Sequence, residues 1–193
     1  MSIKINLPKK ARVIIVEGVA GSGKDTVQQL LKQQLKNHAV LDYSEGELLF
    51  TWKLARVKGI AKLRLDFLNC FADFMSETIK NEPQSIFLLN RFHLSNYMAH
   101  VSKDENLKPQ YEQVVKKLKK LPVYILFLQL SAEEIDKRSS HKERPTSWKK
   151  YQQLMVKKEG FINRVERYLN EQKVMLEQAE KDSLPYSIIH FGL

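Results

Sequence analysis

The clearest chemical pattern in the chain is a glycine-rich segment near its start, residues 18–24, which reads GVAGSGK. This spacing fits the GxxxxGK pattern of a phosphate-binding loop, in which glycines let successive backbone N–H groups turn towards phosphate oxygens. The lysine adds a mobile positive charge, and the helix that follows such a loop adds the positive end of its dipole. We therefore predict an ATP site formed by Gly18, Val19, Ala20, Gly21, Ser22, Gly23, Lys24, Asp25 and Thr26.

The residue after the loop lysine departs from the usual pattern. That position normally holds Ser or Thr, whose hydroxyl binds Mg²⁺, and here it is Asp25, followed by Thr26. A carboxylate is a good ligand for Mg²⁺, but beside phosphates it brings a charge repulsion that only a bound cation offsets. We therefore predict Mg²⁺ as a second cofactor, with Asp25 and Thr26 as its ligands in the chain.

Strands and helices that could position this loop alternate along the chain. Short apolar runs predict strands over residues 11–17, 40–43, 85–89, 123–130 and 186–191. Helical spacing of apolar residues, Pro109 at a helix start and a Ser131/Glu134 capping box predict helices between them. This alternation predicts an α/β fold of the P-loop NTPase type, with a five-stranded parallel sheet in a three-layer α/β/α arrangement. Ligands bind such sheets at the carboxyl ends of the strands.

The composition narrows the class of protein. A chain of 193 residues suffices for one well-buried core, so we predict a single domain over residues 1–193. The single cysteine, Cys70, excludes an intrachain disulfide framework, and we expect it to be a small buried residue. The start lacks the apolar core of a signal peptide and no apolar run reaches membrane-spanning length, so we expect a cytoplasmic protein without a membrane partner. The net charge of +10 favours polyanionic partners without choosing among them.

Two further polar segments follow predicted strands, and together with the loop they carry a family resemblance. The third strand ends in Asn90-Arg91-Phe92-His93-Leu94-Ser95, and the fourth runs into FLQLSAEEIDKR and a basic stretch over residues 137–150. This layout resembles the thymidylate kinase and deoxynucleoside (monophosphate) kinase group of P-loop kinases. Their third strand ends in an acid followed by arginine, and their fourth strand leads through a helix into an arginine-rich lid.

The resemblance extends over nearly the whole chain. It includes Glu17-Gly18 at the start of the loop, Ser44-Glu45-Gly46 after the second strand and Cys70-Phe71-Ala72-Asp73 in the following helix. The GKDT ending of the loop looks like that of some phage deoxynucleoside monophosphate kinases, so Asp25 is compatible with this chemistry.

The resemblance also implies roles for individual residues. The catalytic residues it implies are Lys24, Arg91, Arg138 and Arg144, and the substrate-binding residues are Glu45, Phe71, Asn90, Arg91 and Ser95. A basic lid over residues of about 138–147 is implied to close over ATP, and a homodimer is implied as well.

Three residues depart from the thymidylate kinase pattern. Ala20 stands where an aspartate is usual in the loop, Asn90 replaces the acid at the strand end, and Phe74 replaces an arginine that contacts substrate phosphate. Asn90 cannot act as a base near neutral pH, so a general base is lost at that position. Phosphoryl transfer tolerates this loss because its catalysis comes mostly from positioning and charge neutralisation.

The leading hypothesis is transfer of the γ-phosphoryl group of MgATP to a deoxynucleoside monophosphate. One alternative is a deoxynucleoside kinase, which Phe74 in place of arginine favours. A second is an ATP-binding regulator with weak or lost catalysis, suggested by Ala20 and Asn90 together. A third, suggested by the positive charge, is a nucleic-acid-binding or polynucleotide kinase protein, although we expect no nucleic acid partner.

Overall fold

The computed structural model describes residues 5–44, 59–140 and 146–191. Within them, five strands form one parallel sheet: β1 (Val13–Gly18), β2 (Val40–Ser44), β3 (Ile86–Asn90), β4 (Val123–Leu130) and β5 (Tyr186–Phe191). The order across the sheet is β2-β3-β1-β4-β5. The predicted five-stranded parallel sheet is confirmed, and β1, which leads into the phosphate-binding loop, lies at its centre.

Helices cover both faces of the sheet, as predicted for a three-layer α/β/α fold. The helices of the described residues are α1 (Lys24–Gln34), α2 (Ile60–Asn81), α3 (His93–Ala99), α4 (Lys108–Leu118), α5 (Ala132–Ser140), α6 (Thr146–Glu159) and α7 (Arg164–Asp182). Two single turns of 3₁₀-helix, Val101–Lys103 and Glu105–Leu107, join α3 to α4. The Ser131 hydroxyl accepts a hydrogen bond from the Glu134 N–H at 3.2 Å, so the predicted cap does begin α5.

The alternation of side chains along β1 divides the core into two apolar layers. Val13 and Ile15 pack into the layer beneath α2, α4 and α7, whereas Ile14 and Val16 face the layer covered by α1. All of β1 is buried, because a central strand of a parallel sheet has helices on both faces. This rigid centre fixes the start of the phosphate-binding loop.

The register aligns the strand ends that carry polar residues. Val16 of β1 lies opposite Asn90, the last residue of β3, and Gly18 lies opposite Leu128 of β4. Because every strand is parallel, the loop after β1 and the turn after β3 leave the sheet at the same edge. Polar residues that are far apart in the sequence therefore meet there.

Cys70 does not lie where the sequence predicts. It is exposed on α2, whereas its neighbours Leu68 and Asn69 are buried. A cysteine is small enough to be tolerated on either side of an amphipathic helix, so its apolar surroundings in the sequence were a poor guide. Within the described residues, no helix is both long enough and apolar enough to cross a membrane.

Candidate functional site

Glycines shape the phosphate-binding loop. Gly18 ends β1 with a φ of +144°, and a Cβ at this position would lie 2.7 Å from the Leu128 carbonyl oxygen and 2.8 Å from Ser22 Oγ. Gly23, which precedes α1, has a φ of +94°. Both backbone conformations favour glycine, and the space beside Gly18 admits no side chain. The loop can therefore take this tight path only with glycine at these positions.

The other loop residues divide between the core and the surface. Val19 and Ser22 are buried, and Ala20 is partly buried against the core. Asp25 and Thr26, the predicted metal ligands, are exposed in the first turn of α1. The predicted ATP-site residues thus form one continuous loop and helix start, with the candidate metal ligands on its open side.

The ammonium group of Lys24 lies inside the loop. It donates hydrogen bonds to the carbonyl oxygens of Gly18 at 3.0 Å and Val19 at 2.7 Å, and to Ser22 Oγ at 3.3 Å. Burial, together with the nearby Arg91 guanidinium, lowers the pKa of Lys24 well below its usual value. An anionic phosphate beside this ammonium group would favour its charged form and offset that cost.

Asp25 and Asn90 join the start of α1 to the end of β3. Asn90 Nδ2 donates a hydrogen bond of 2.6 Å to Asp25 Oδ1 and a longer one of 3.3 Å to Gln28 Oε1. The Asn90 side chain is buried, whereas Asp25 is exposed. The strand-end amide therefore holds a carboxylate of the phosphate-binding loop at the open edge of the sheet.

Arg91 follows β3 in a left-handed backbone conformation, with a φ of 68°. Such a conformation is uncommon for a residue with a side chain and persists only where the surroundings enforce it. Here the Arg91 N–H donates to the Val16 carbonyl oxygen at 2.9 Å. The predicted catalytic arginine thus occupies a constrained turn next to the loop.

Glu17 holds the other side of that turn. Its carboxylate is fully buried and accepts hydrogen bonds from the N–H groups of Phe92 at 2.8 Å and Ser95 at 3.3 Å. The Ser95 hydroxyl also donates to it at 2.5 Å. Sequence reasoning treated Glu17 only as part of a motif, although a glutamate inside an otherwise apolar strand was a signal that its charge must be paired.

Arg138 contacts the phosphate-binding loop from α5. Its Nη1 donates to the Ser22 carbonyl oxygen at 3.1 Å, and its Nε donates to Glu134 at 2.7 Å. The guanidinium carbon lies 4.9 Å from the centre of the Phe191 ring. The predicted lid arginine is therefore held by helix, ring and loop contacts at the edge of the site.

A group of paired charges, mostly buried on α6 and α7 and extended by the exposed Lys103 of the first 3₁₀ turn, also lies near the site. Arg167 pairs with Glu159 at 2.6 Å and with Glu171 at 2.7 Å, and Lys103 pairs with Glu159 at 2.8 Å. Burial raises the pKa of Glu171, while Arg167 and Arg91 act in the opposite direction. Sequence reasoning missed this group, which only the spacing of four residues between Arg167 and Glu171 could have suggested.

Phe71, a predicted substrate-binding residue, belongs to an aromatic cluster between α2 and the sheet. Its ring lies 4.8 Å from that of Tyr43 and 6.1 Å from that of Phe92. Phe74 extends the cluster towards solvent, with its ring 5.7 Å from that of Phe71, and it is 52% exposed. Two other predicted site residues, Glu45 and Arg144, lie outside the described residues, as does the middle of the predicted lid, residues 138–147.

Asp25 and Thr26, beside the phosphate-binding loop, are suited to a magnesium ion that is bound jointly with the phosphates of a nucleotide. Mg²⁺ is usually bound through one or two carboxylates, several waters and substrate phosphates rather than by a cage of protein ligands. Over residues 5–44, 59–140 and 146–191, no group of three or more His, Cys, Asp and Glu side chains converges. One carboxylate, Asp25, and one hydroxyl, Thr26, are nevertheless exposed beside the loop.

Comparisons with known proteins agree with the fold. Thymidylate kinase from Candida albicans matches 94% of this chain over 84% of its own, with 17% identity and a TM-score of 0.57. The match with thymidylate kinase from Ehrlichia chaffeensis covers 93% of this chain and 87% of that kinase, with 16% identity and a TM-score of 0.55. The match with the YorR protein of Bacillus subtilis, solved with phosphorylated GDP, covers 92% of this chain and 85% of that protein, with 18% identity and a TM-score of 0.55.

These likenesses concern the fold, because the identities lie between 16% and 18%. No protein-family model and no curated protein sequence matches the chain. The chain therefore has the P-loop kinase fold seen in thymidylate kinases, and its substrate must be argued from its own residues.

Proposed function

We propose that this chain is a nucleotide kinase that transfers the γ-phosphoryl group of ATP to a nucleoside monophosphate, with a deoxynucleoside monophosphate as the first candidate acceptor. The observation that carries the proposal is that Lys24 and Arg138 both contact the phosphate-binding loop at the carboxyl edge of the sheet, where the Arg91 guanidinium is near enough to Lys24 to lower its pKa. Catalysis of phosphoryl transfer consists largely of positioning and charge neutralisation, and these cations can supply both.

Lys24 and the backbone N–H groups of residues 18–24 would bind the β- and γ-phosphates of ATP. In this role the ammonium group exchanges its contacts with the Gly18 and Val19 carbonyl oxygens for phosphate oxygens. Arg138 lies beside the same loop and would neutralise charge that develops on the transferred group.

Arg91 would hold the phosphate of the acceptor. Its constrained turn presents a guanidinium group close to Lys24, and an arginine binds phosphate in a bidentate manner. The Ser95 hydroxyl is engaged with Glu17, so we assign Ser95 a positioning role at this turn instead of direct contact with substrate. Phe71 and its aromatic neighbours offer a stacking surface for the base.

Asp25 and Thr26 would hold Mg²⁺ together with the phosphates of ATP. When bound, the ion neutralises phosphate charge during transfer. We also propose, on the resemblance alone, that residues 1–193 form one domain and that the protein acts as a homodimer.

A coupled assay of ADP release tests this function across nucleosides and nucleoside monophosphates. We expect turnover with at least one monophosphate, and we expect Lys24→Met to lower kcat by about 10²–10³-fold. Lys32→Met is the matched control, since Lys32 lies on the same helix and pairs with Asp42 at the surface. A comparable fall in kcat in Lys32→Met would show that a change in the helix, and not the loss of the Lys24 charge, was responsible.

Two outcomes separate the alternatives. Turnover with thymidine but not with its monophosphate would favour a nucleoside kinase, for which the exposed Phe74 in place of a phosphate-binding arginine is the supporting observation. Tight ATP binding with silence towards every acceptor would instead overturn the kinase proposal in favour of a nucleotide-binding regulator.

A further inference from the structure

One carboxylate and one neutral group meet where a P-loop protein usually holds its metal ion. Asp25 lies in the first turn of α1, and Asn90 ends β3, so the two are 65 residues apart in the sequence. Their side chains are nevertheless joined by a hydrogen bond of 2.6 Å. Gln28 accepts a second hydrogen bond from the same amide nitrogen, at 3.3 Å.

In P-loop proteins generally, the residue after the loop lysine supplies a neutral hydroxyl to Mg²⁺, and an aspartate at a strand end supplies the charge. In this chain the two chemical types are reversed. The carboxylate is on the loop helix, as Asp25, and the neutral side chain is on the strand, as Asn90. The pair of Asp25 and Asn90 still carries one negative charge, as the usual pair does. The carboxylate that would bind the metal is on the loop helix instead of the strand.

We propose that Asp25 and Asn90 are an exchanged pair, in which the metal-binding carboxylate has moved to the loop helix and Asn90 acts as a positioning residue for it. This inference rests on the proposed function. It goes further by giving Asn90, which stands where a carboxylate is usual, the role of orienting Asp25 through its amide nitrogen.

The burial of the two residues supports this division of roles. Asn90 is buried, so a neutral amide at this position avoids the desolvation of a charge. Asp25 is exposed at the start of a helix, where the dipole stabilises an anion. A carboxylate on both residues would place two negative charges within hydrogen-bond distance of each other.

The hydrogen bond also orients the carboxylate. Asn90 Nδ2 binds Oδ1 of Asp25, and its other hydrogen is directed to Gln28 Oε1, which fixes the amide itself. Residues that orient a metal ligand in this way typically change metal affinity by about 10–100-fold when they are removed. Asn90 therefore gains a measurable role without acting as a base.

The experiment is a double-mutant cycle with Mn²⁺ as the probe, read by electron paramagnetic resonance of the full chain bound to adenylyl imidodiphosphate, a non-hydrolysable ATP analogue. We expect D25S to weaken Mn²⁺ binding by about tenfold or more. We expect the double variant D25S/N90D, which restores the usual arrangement, to recover affinity to within about threefold of wild type. N90D should therefore improve affinity far more in the D25S background than in the wild-type background.

D42S is the matched control, because Asp42 is an exposed carboxylate on β2 whose partner is Lys32. It should leave Mn²⁺ affinity unchanged, and circular dichroism should show all variants folded. A double variant that binds Mn²⁺ no better than D25S, or a D25S variant with wild-type affinity, would overturn the exchange while leaving ATP binding intact. Failure of the wild type to bind the analogue, measured by calorimetry with saturating Mg²⁺, would overturn the proposed function and this inference with it.

Discussion

The hydroxyl group of Ser95 donates a 2.5 Å hydrogen bond to the buried carboxylate of Glu17, joining the start of α3 to the end of β1. The same carboxylate accepts from the Phe92 and Ser95 N–H groups, so one side chain satisfies the beginning of a helix that lacks a side-chain cap of its own. Because Arg91 lies two residues before the start of this helix, the contact also determines where the arginine leaves the sheet.

Ser95→Ala tests this contact. We expect it to lower the free energy of unfolding by about 1.5–3 kcal/mol, because it removes a buried hydrogen bond to a charged group. Urea denaturation followed by circular dichroism measures the change. Ser102→Ala is the control, since that hydroxyl bonds the Met98 carbonyl oxygen at an exposed position and its loss should change stability by less than about 0.5 kcal/mol. Equal effects of the two changes would argue against the buried contact.

The left-handed conformation of Arg91 allows its effect on stability to be measured separately from its effect on activity. At a φ of 68°, glycine pays no steric penalty, so Arg91→Gly should be more stable than Arg91→Ala by about 1 kcal/mol. Both variants lose the guanidinium group, and both should lose activity by about 10²–10³-fold. Thermal unfolding and the ADP-release assay measure the two effects separately. A variant that keeps wild-type activity would remove Arg91 from the proposed acceptor site.

Arg138 and its neighbour Lys137 offer a comparison within one helix. Arg138→Ala removes the contacts with the Ser22 carbonyl oxygen and the Phe191 ring, so we expect kcat/KM for ATP to fall by about 10–100-fold. Lys137 pairs with Glu134 at 3.5 Å from an exposed position, and Lys137→Ala should stay within about threefold of wild type. Similar losses of kcat/KM in both variants would indicate that the positive charge of the helix as a whole matters, and not the contact of Arg138 with the loop.

His93 gives the protein an acid-sensitive core. It is fully buried, and burial lowers the pKa of its imidazole to about 3, from an ordinary value of 6.5. Below pH 6.5 the imidazole is therefore protonated in the unfolded chain and neutral in the folded chain. The free energy of unfolding is thus highest above that pH and falls as the pH drops towards 3. The loss at the end of this window is on the order of 3–5 kcal/mol.

His93→Gln should flatten this part of the curve of unfolding free energy against pH, and His38→Gln, at an exposed position, is the control for a change of histidine as such. Asp182 lies 3.6 Å from His93 and contributes with the opposite sign, since burial raises its pKa. The difference between wild type and His93→Gln isolates the histidine. An unchanged slope would mean that the imidazole titrates normally.

The sequence predicts the sheet better than it predicts the contacts at its edge. The bounds of β4 and β5 match the prediction, because each is an apolar run that follows a proline, Pro122 or Pro185. The phosphate-binding loop is likewise a local pattern that needs only the strand before it and the helix after it. These features depend on neighbouring residues, so a single sequence suffices to find them.

The contacts that build the site are different in kind. Glu17 and Ser95 are 78 residues apart, and Arg138 reaches a loop carbonyl 116 residues earlier. Such pairs follow from the strand order β2-β3-β1-β4-β5, which spacing along the chain does not encode. The left-handed conformation of Arg91 escaped prediction for the same reason, since tertiary contacts impose it on a residue that does not favour it.

Gly18 allows the loop itself to be tested. Gly18→Ala places a Cβ 2.7 Å from the Leu128 carbonyl oxygen and 2.8 Å from Ser22 Oγ, at a φ of +144°. Because backbone and loop must both shift, we expect ATP binding to be lost and stability to fall by more than about 2 kcal/mol.

Gly160→Ala is the matched control, since Gly160 has a φ of +77° but no atom of the described residues lies within 4 Å of the added Cβ. It should cost only the backbone strain of about 1–2 kcal/mol and leave ATP affinity unchanged. Calorimetric titration with ATP and thermal unfolding measure both quantities. If Gly18→Ala binds ATP as tightly as Gly160→Ala, the path of the loop past Leu128 is not what holds the phosphates, and the nucleotide must bind elsewhere on the sheet edge.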